Sequence, residues 1–265
     1  EDVGFLGDGI NDAVALHDAD SGISVESASD VAKDAADIVL VTKDLGILAE
    51  GIAQGRRVFT NTIKYVLMAT SSNFGNMIST AIGSLVLPFL PLLPSQILIN
   101  NLLYDVSEST IPTDRVDAEQ LDRPARWDMG LIRRFMVVFG PISSIFDLTI
   151  LALLLLVFHA GPVFFRSGYF IESFVTQTLI VFVIRTRIVP FFRSRPSWQL
   201  TISTLAVTAI GVALPVSPLA TTFGFTALPP AFFAMLGVLV AIYTVTCETA
   251  KAFLWRTSQA RDARS

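Results

Sequence analysis

Hydrophobic and polar residues alternate in short segments over the first 44 positions of the chain. Apolar runs at 3–6, 22–25 and 37–41 predict three strands, and the segments between them predict short helices at 12–19 and 30–36. Asn11 and Asp12 are placed to cap the first helix, and Ser27 or Ser29 to cap the second. Strands that alternate with helices indicate an α/β unit with a parallel sheet.

From Leu45 onward the apolar residues are spaced for helices, and after Tyr65 charged residues become rare. Six apolar stretches follow, at about 66–87, 95–112, 135–158, 169–188, 198–215 and 231–254. A helix needs roughly 20 residues to cross a hydrocarbon core of ~30 Å, so the second and fifth stretches are marginal in length. The pattern predicts a mostly α protein in which a six-helix transmembrane bundle follows the α/β unit.

The composition agrees with a protein whose main partner is the lipid bilayer. Hydrophobic residues make up 52% of the chain and charged residues 16%, whereas a soluble domain carries about 25% charged residues. The net charge of −4 and the lack of a basic patch interleaved with aromatics argue against a nucleic-acid partner. The single cysteine, Cys247, excludes an internal disulfide, and we expect it to be a buried hydrophobe in the sixth stretch.

Positive charge marks one side of the predicted bundle. Segments 113–134 and 185–195 and the tail are rich in Arg and Lys, whereas the alternate loops contain Arg166 alone. The residues concerned are Arg115, Arg123, Arg126, Arg133, Arg134, Arg185, Arg187, Arg193, Arg195, Lys251, Arg256, Arg261 and Arg264. Because cytoplasmic loops are enriched in Lys and Arg, we expect a multi-pass protein of a plasma or inner membrane with both ends in the cytoplasm.

A predicted strand-to-helix turn at residues 7–12 carries candidate chemistry. Its sequence places the carboxylates of Asp8 and Asp12 four positions apart, with the Asn11 amide between them. Gly7 and Gly9 allow a sharp turn and a close approach of the backbone to a ligand. Hard oxygen ligands of this kind suit Mg²⁺ with a phosphoryl group beside it, although a bare Gly-Asp-Gly is more often an ordinary acidic turn.

This motif and its surroundings resemble P-type ATPases. VGFLGDGINDAVALHDA, residues 3–19, is similar to the family's hinge motif, and residues 22–66 are similar to its run into the fifth membrane helix. The resemblance covers nearly the whole chain and implies that residues 1–44 are the C-terminal piece of a haloacid-dehalogenase-like phosphorylation domain. It also implies that 45–112 are the stalk with the fifth and sixth membrane helices, 113–134 a cytoplasmic loop, 135–256 the seventh to tenth helices and 257–265 a cytoplasmic tail.

The resemblance further implies that Asp8 and Asp12 ligate a catalytic Mg²⁺, that Asn11 and Asp12 also support the phosphoryl group and its loop, and that ATP is the substrate of a complete pump. The family's phosphorylated aspartate, in its DKTGT motif, does not occur in the 265 residues, nor does the TGE motif of the actuator domain. We therefore expect this chain to need the N-terminal domains of the same pump as partners and to be inactive alone.

Several strings are most similar to the magnesium-transporting branch (type IIIB) of the family. They are SSNFGNMIS, LPFLPLLP, NNLLYDVSE, FGPISSIFD and QTLIVFVIRTR. This similarity, and not composition or spacing, implies Mg²⁺ as the transported ion.

Polar residues inside the apolar stretches are candidate ion ligands, because a mid-membrane charge costs about 2.5–3.5 kcal/mol on insertion scales. Asn73 and Asn76 share one face of the first stretch, and Asn101 and Asp105 share one face of the second. By position in the family, Asn73, Asn101 and Asp105 match cation-binding residues. Asn76 stands where calcium pumps have a glutamate, which favours a single divalent ion, although membrane asparagines also simply join helices.

Three further carboxylates are possible ligands. Glu108 lies one turn beyond Asp105, Asp147 lies midway along the third stretch, and Glu172 lies early in the fourth. For Asp147 and Glu172, pairing with polar neighbours or a position in a water-filled crevice is equally open.

Three interpretations follow. The chain is predicted to be part of an ATP-driven Mg²⁺ transporter that works through an aspartyl-phosphate. The first alternative is a calcium- or manganese-type pump of the same superfamily. The second is a short non-catalytic membrane protein derived from a pump.

Overall fold

A computed structural model describes residues 2–42, 44–121 and 125–262 of the chain, without the side chains of Glu119 and of residues 256–262. Of the arginines used to predict the orientation, Arg123 and Arg264 lie outside the described residues, as do the side chains of Arg256 and Arg261. The chain divides into two units, Glu1–Arg56 and Arg57–Ser265, and each is described by itself.

The first unit contains a parallel sheet of three strands in the order β1-β2-β3. The strands are Gly4–Leu6, Ser21–Val25 and Ile38–Leu40, with Phe5 opposite Gly22 and Ser24 opposite Val39. Helix α1 (Ala13–Asp18) connects β1 to β2, and α2 (Asp30–Ala35) connects β2 to β3. The predicted parallel α/β arrangement is therefore confirmed.

Two local features explain how these short elements hold together. The Ser29 hydroxyl accepts a hydrogen bond from the amide of Ala32 at 3.3 Å, so Ser29 is the predicted cap of α2. Gly22 lies against α1, where a Cβ atom would come within 2.3 Å of the Leu16 carbonyl oxygen. Only glycine permits this close approach of strand and helix.

The rest of the described chain is helical. The helices are α3 (Leu45–Val86), α4 (Pro94–Glu108), the short α5 (Ala118–Leu121), α6 (Met129–Leu156), α7 (Pro162–Ile184), α8 (Trp198–Ala213) and α9 (Pro230–Asp262). Within the described residues, four segments are long and apolar enough to cross a membrane: Met129–Leu156, Pro162–Ile184, Trp198–Val216 and Pro230–Trp255.

These four correspond to the last four of the six predicted stretches, while the first two remain predictions. Helix α4 has 15 residues, fewer than the roughly 20 that a span requires. Helix α3 has 42 residues, but its second half contains several polar residues, among them Ser71, Ser72, Asn73, Asn76 and Ser79.

Helix α7 is the centre of the bundle. Buried residues make up 89% of its most apolar 18 residues, against 28% for the corresponding parts of α8 and α9. Phe170 and Phe174 stack in parallel along it, and a Cβ on Gly211 of α8 would lie 2.2 Å from the Phe174 ring. Polar side chains in this part of α7 are therefore enclosed by other helices rather than exposed to lipid.

A buried polar cluster surrounds Asp114, in the segment that follows α4. The Nε of Arg185, at the end of α7, donates to Oδ2 of Asp114 at 2.7 Å, and the backbone amide of Ser197 donates to its Oδ1 at 3.0 Å. The Asn61 amide on α3 donates to the Asp114 carbonyl at 2.9 Å, and Lys64 Nζ lies 3.8 Å from Oδ2. One side chain thus joins α3, the end of α7 and the start of α8 to the segment that follows α4.

Lys251 on α9 forms a second buried contact with α7. Its ammonium lies 3.0 Å from the Glu248 carboxylate, as the spacing of three residues predicts. It also donates to the carbonyls of Val183 and Ile188 at 3.0 Å each, so that it satisfies acceptors at and just beyond the end of α7. Cys247 is buried beside this contact, as predicted.

Candidate functional site

In the first unit, the loop at residues 7–12 is closed by one carboxylate. Asp12 Oδ2 accepts hydrogen bonds from the backbone amides of Asp8 at 3.1 Å and Gly9 at 3.0 Å. A Cβ on Gly7 would lie 2.6 Å from the Cβ of Asp12, so this closed loop requires glycine there. Asp12 is the N-cap residue of α1, as predicted, but its carboxylate forms no capping hydrogen bond to that helix and bonds to the loop instead.

The loop is anchored to the neighbouring strand. The Gly7 amide donates to the Ile23 carbonyl at 3.0 Å, and the buried Ser24 hydroxyl donates to the Gly7 carbonyl at 2.9 Å. The side chains of Asp8 and Asn11 are exposed at this edge of the sheet. The loop therefore presents one carboxylate and one amide outward, while Asp12 determines its shape.

This arrangement has the donor chemistry for Mg²⁺. Among the described residues, no group of three or more His, Cys, Asp or Glu side chains could hold a metal ion. Mg²⁺ does not need such a group, because it keeps several waters and binds through one or two carboxylates plus phosphate oxygens. Asp8 is the exposed carboxylate that fits this role.

In the second unit, four asparagines line one cavity of about 620 Å³ between α3 and α4. They are Asn73 and Asn76 on α3 and Asn100 and Asn101 on α4. The structure therefore brings three predicted residues, Asn73, Asn76 and Asn101, to a common space. Asp105 is exposed about one turn further along α4 and is not among the lining residues.

A chain of hydrogen bonds connects this cavity to α7. Asn100 Nδ2 donates to Gln177 Oε1 at 3.3 Å, Gln177 Nε2 donates to Ser173 Oγ at 3.3 Å, and Ser173 Oγ donates to Asn76 Oδ1 at 3.5 Å. The sequence interpretation missed Asn100, Gln177 and Ser173. The criterion that selected Asn101, a polar side chain inside an apolar stretch, would also have selected Asn100 and Gln177.

The three remaining carboxylates are buried. Glu108, Asp147 and Glu172 are 2%, 1% and 0% exposed, which contradicts an open crevice at Asp147 and Glu172. Among the described residues, Glu108 Oε1, Asp147 Oδ2 and both carboxylate oxygens of Glu172 have no hydrogen-bond partner. Neither Asp147 nor Glu172 lines the cavity between α3 and α4.

Comparison with known proteins identifies the family. Residues 89–253 match the family profile described as "Cation transporting ATPase, C-terminus". The chain belongs to the cation-transporting ATPases. The profile match and the similarities that follow confirm the resemblance to the C-terminal part of a P-type ATPase. Together with the four apolar helices, the profile match indicates a multi-pass membrane protein.

Proteins similar to the chain include the following three ATPases. The chain is 51% identical over 258 residues to "Magnesium-transporting ATPase, P-type 1" of Escherichia coli, which covers 96% of this chain and 29% of that protein. A protein of the same name from Salmonella typhimurium is 47% identical over 255 residues, covering 95% and 28%. "Plasma membrane ATPase 2" of Saccharomyces cerevisiae is 28% identical over 218 residues, covering 78% and 22%. The chain thus spans less than a third of the length of these relatives.

Proposed function

We propose that this chain is the C-terminal part of an ATP-driven pump that transports Mg²⁺ through an aspartyl-phosphate cycle. The observation that carries the proposal is the cavity between α3 and α4, which is lined by four asparagine side chains within a chain 51% identical to a magnesium-transporting ATPase. Amide and carboxylate oxygens are the hard ligands that Mg²⁺ requires. Asn73, Asn76 and Asn101 supply neutral oxygens, and Asp105 supplies the charge.

The first unit serves the chemistry in this proposal. Residues 1–44 are part of a phosphorylation domain in which Asp8 holds the catalytic Mg²⁺ and Asn11 supports the phosphoryl group. Asp12 maintains the loop through its bonds to the amides of Asp8 and Gly9. The phosphorylated aspartate, the nucleotide site and the first four membrane helices belong to the N-terminal part of the same pump, so ATP is hydrolysed only by the complete protein.

The topology completes the proposal. Helices α3 and α4 are the fifth and sixth membrane helices, α6 to α9 are the seventh to tenth, and both ends of the chain lie in the cytoplasm. Arginines are concentrated between α4 and α6 and after α7. They support this orientation because cytoplasmic loops are enriched in Lys and Arg.

The experiment compares Asp105→Asn with the parent in the complete pump. We expect Mg²⁺ transport to be lost at an unchanged protein level, because the substitution removes the charge of an exposed carboxylate on α4, one turn from Asn101. Ser109→Ala, at an exposed position just beyond α4, is the matched control and should transport normally. Unchanged transport by Asp105→Asn would refute the site. Phosphoenzyme formation that depends on Ca²⁺ or Mn²⁺, and not on Mg²⁺, would refute the choice of ion.

A further inference from the structure

Asn100 differs from the other asparagines of the cavity because it is buried, and its amide nitrogen is bonded to α7. Its side chain is 4% exposed, and its Nδ2 donates to Gln177 Oε1 at 3.3 Å. Its Oδ1 has no hydrogen-bond donor in the described part of the chain. A buried carbonyl oxygen without a donor is costly, unless another electropositive partner, such as a cation, occupies the cavity that Asn100 lines.

The hydrogen-bond chain behind Asn100 has a direction. Gln177 accepts from Asn100 with its oxygen and therefore turns its Nε2 toward Ser173, and the Ser173 hydroxyl in turn donates to Asn76 Oδ1. If the Asn100 amide were reversed, its Oδ1 would face the Gln177 Oε1 and two acceptors would meet. Gln177 therefore determines that Nδ2, and not Oδ1, is the Asn100 atom bonded to α7.

Gln177 itself does not line the cavity. It is 4% exposed and belongs to α7, the most enclosed helix of the bundle. Its side chain is therefore supported on all sides, and its position can fix the Asn100 amide in the same way that outer residues orient the ligands of other metal sites.

We propose that Asn100 Oδ1 is a further ligand of the transported cation and that Gln177 is a positioning residue that favours Mg²⁺ over Ca²⁺. The inference rests on the proposed function. Mg²⁺ requires near-ideal octahedral geometry with short bonds, whereas Ca²⁺ accepts variable geometry and coordination number. An amide that is fixed in orientation therefore contributes more to Mg²⁺ binding than to Ca²⁺ binding.

The test is Gln177→Met in the complete pump, because methionine keeps the length of the side chain and fills irregular space but forms no comparable hydrogen bonds. We expect the Mg²⁺ concentration for half-maximal ATPase activity to rise about 10-fold, the lower end of the roughly 10–100-fold range found when residues behind a metal ligand are changed. The maximal ATPase rate should stay within about twofold of the parent's. The Ca²⁺ concentration that gives a half-maximal change in ATPase activity should shift much less than the Mg²⁺ concentration does.

Two further variants separate positioning from simple loss of structure. Thr178→Val is the matched control, since Thr178 is the next residue on α7 and its hydroxyl bonds to its own helix and to Thr208. It should leave the Mg²⁺ dependence unchanged. Asn100→Met should weaken Mg²⁺ dependence at least as much as Gln177→Met, and the double variant should be no worse than Asn100→Met alone, because Gln177 acts through Asn100.

The outcomes distinguish this inference from the proposed function. A parent pump without Mg²⁺-dependent activity refutes the proposed function. A Mg²⁺-dependent parent refutes only the inference if Gln177→Met keeps the parental Mg²⁺ dependence, or if it weakens Mg²⁺ and Ca²⁺ dependence equally. Should Gln177→Met fail to accumulate, Asn100→Met decides alone, and a parental Mg²⁺ dependence in that variant overturns the proposal.

Discussion

The Asp114 carboxylate joins α3, α7 and α8 to the segment after α4. The substitution Asp114→Asn removes the negative charge of this side chain while keeping its shape. The side chains of Asp114 and Arg185 are 0% and 1% exposed, with 2.7 Å between Oδ2 and Nε. Asparagine offers one oxygen instead of two, so either Arg185 or the Ser197 amide loses its acceptor. The Arg185 guanidinium also loses its closest negative charge.

The free-energy cost of Asp114→Asn depends on the hydrogen bonds that Arg185 keeps. Removing one partner of a buried ion pair costs about 3–5 kcal/mol. Arg185 keeps hydrogen bonds to the carbonyls of Ser194 at 3.0 Å, Arg195 at 3.2 Å and Arg115 at 3.4 Å. These contacts offset part of the loss, so we expect a cost near the lower end, about 3 kcal/mol.

Thermal unfolding of the purified protein in detergent measures this cost. At about 2–4 °C per kcal/mol for 150–250 residues, Asp114→Asn should lower the midpoint by about 6–12 °C. Arg193→Gln, at an exposed position on the neighbouring segment, should leave it unchanged. The double variant Asp114→Asn/Arg185→Met should lose less than the sum of the two single variants, because it no longer buries the Arg185 charge without its carboxylate partner. A shift below about 2 °C for Asp114→Asn, or additive losses in the cycle, would refute the reasoning.

Three other predictions concern local contacts. Gly75→Ala should destabilise the protein by about 1–3 kcal/mol, because its Cβ would lie 2.9 Å from a side chain of α6. Gly51→Ala is the control and should not destabilise it, because no atom lies within 4 Å of the added Cβ. Equal midpoints of thermal unfolding for the two variants would contradict this. Ser29→Ala should lower the stability of α2 by about 1 kcal/mol through loss of its N-terminal cap. Ser27→Ala, at an exposed position, is the control. Hydrogen exchange of the α2 amides measures the effect, and equal exchange in both variants would count against the cap. Burial lowers the pKa of Lys64, which precedes the first apolar stretch, to about 8, and the neighbouring carboxylate opposes this. Asp114→Asn should therefore lower the pH at which Lys64 reacts with amine reagents, as followed by peptide mass spectrometry. An unchanged or higher pH of half-reaction would disprove this prediction.

The sequence alone was sufficient where the partners are close in the chain. Ser29 caps a helix that begins one residue later, and Glu248 pairs with Lys251 at a spacing of three. The parallel sheet and four apolar helices followed from periodicity and length. These features depend on local dihedral preference and on the apolar character of continuous segments, both of which can be read directly from neighbouring residues.

Even at short range, one role depended on three-dimensional shape. The pattern assigned Asp12 to the cap of α1, but its carboxylate closes the loop onto the amides of Asp8 and Gly9. Both roles require an acceptor at the same position, so residue type cannot distinguish them. The backbone path of the loop, made possible by Gly7, decides which amides the carboxylate reaches.

Only the tertiary structure decided the partners of the buried polar residues. Arg185 counts as a loop cation in the sequence but is enclosed and paired with Asp114, 71 positions away, and Asn100 is oriented by Gln177, 77 positions away. The sequence determined that polar groups occur within apolar helices, which predicts function because their burial is costly. Which groups compensate that cost depends on how the helices pack, since hydrogen bonds form only over about 3 Å and composition carries no information on such distances.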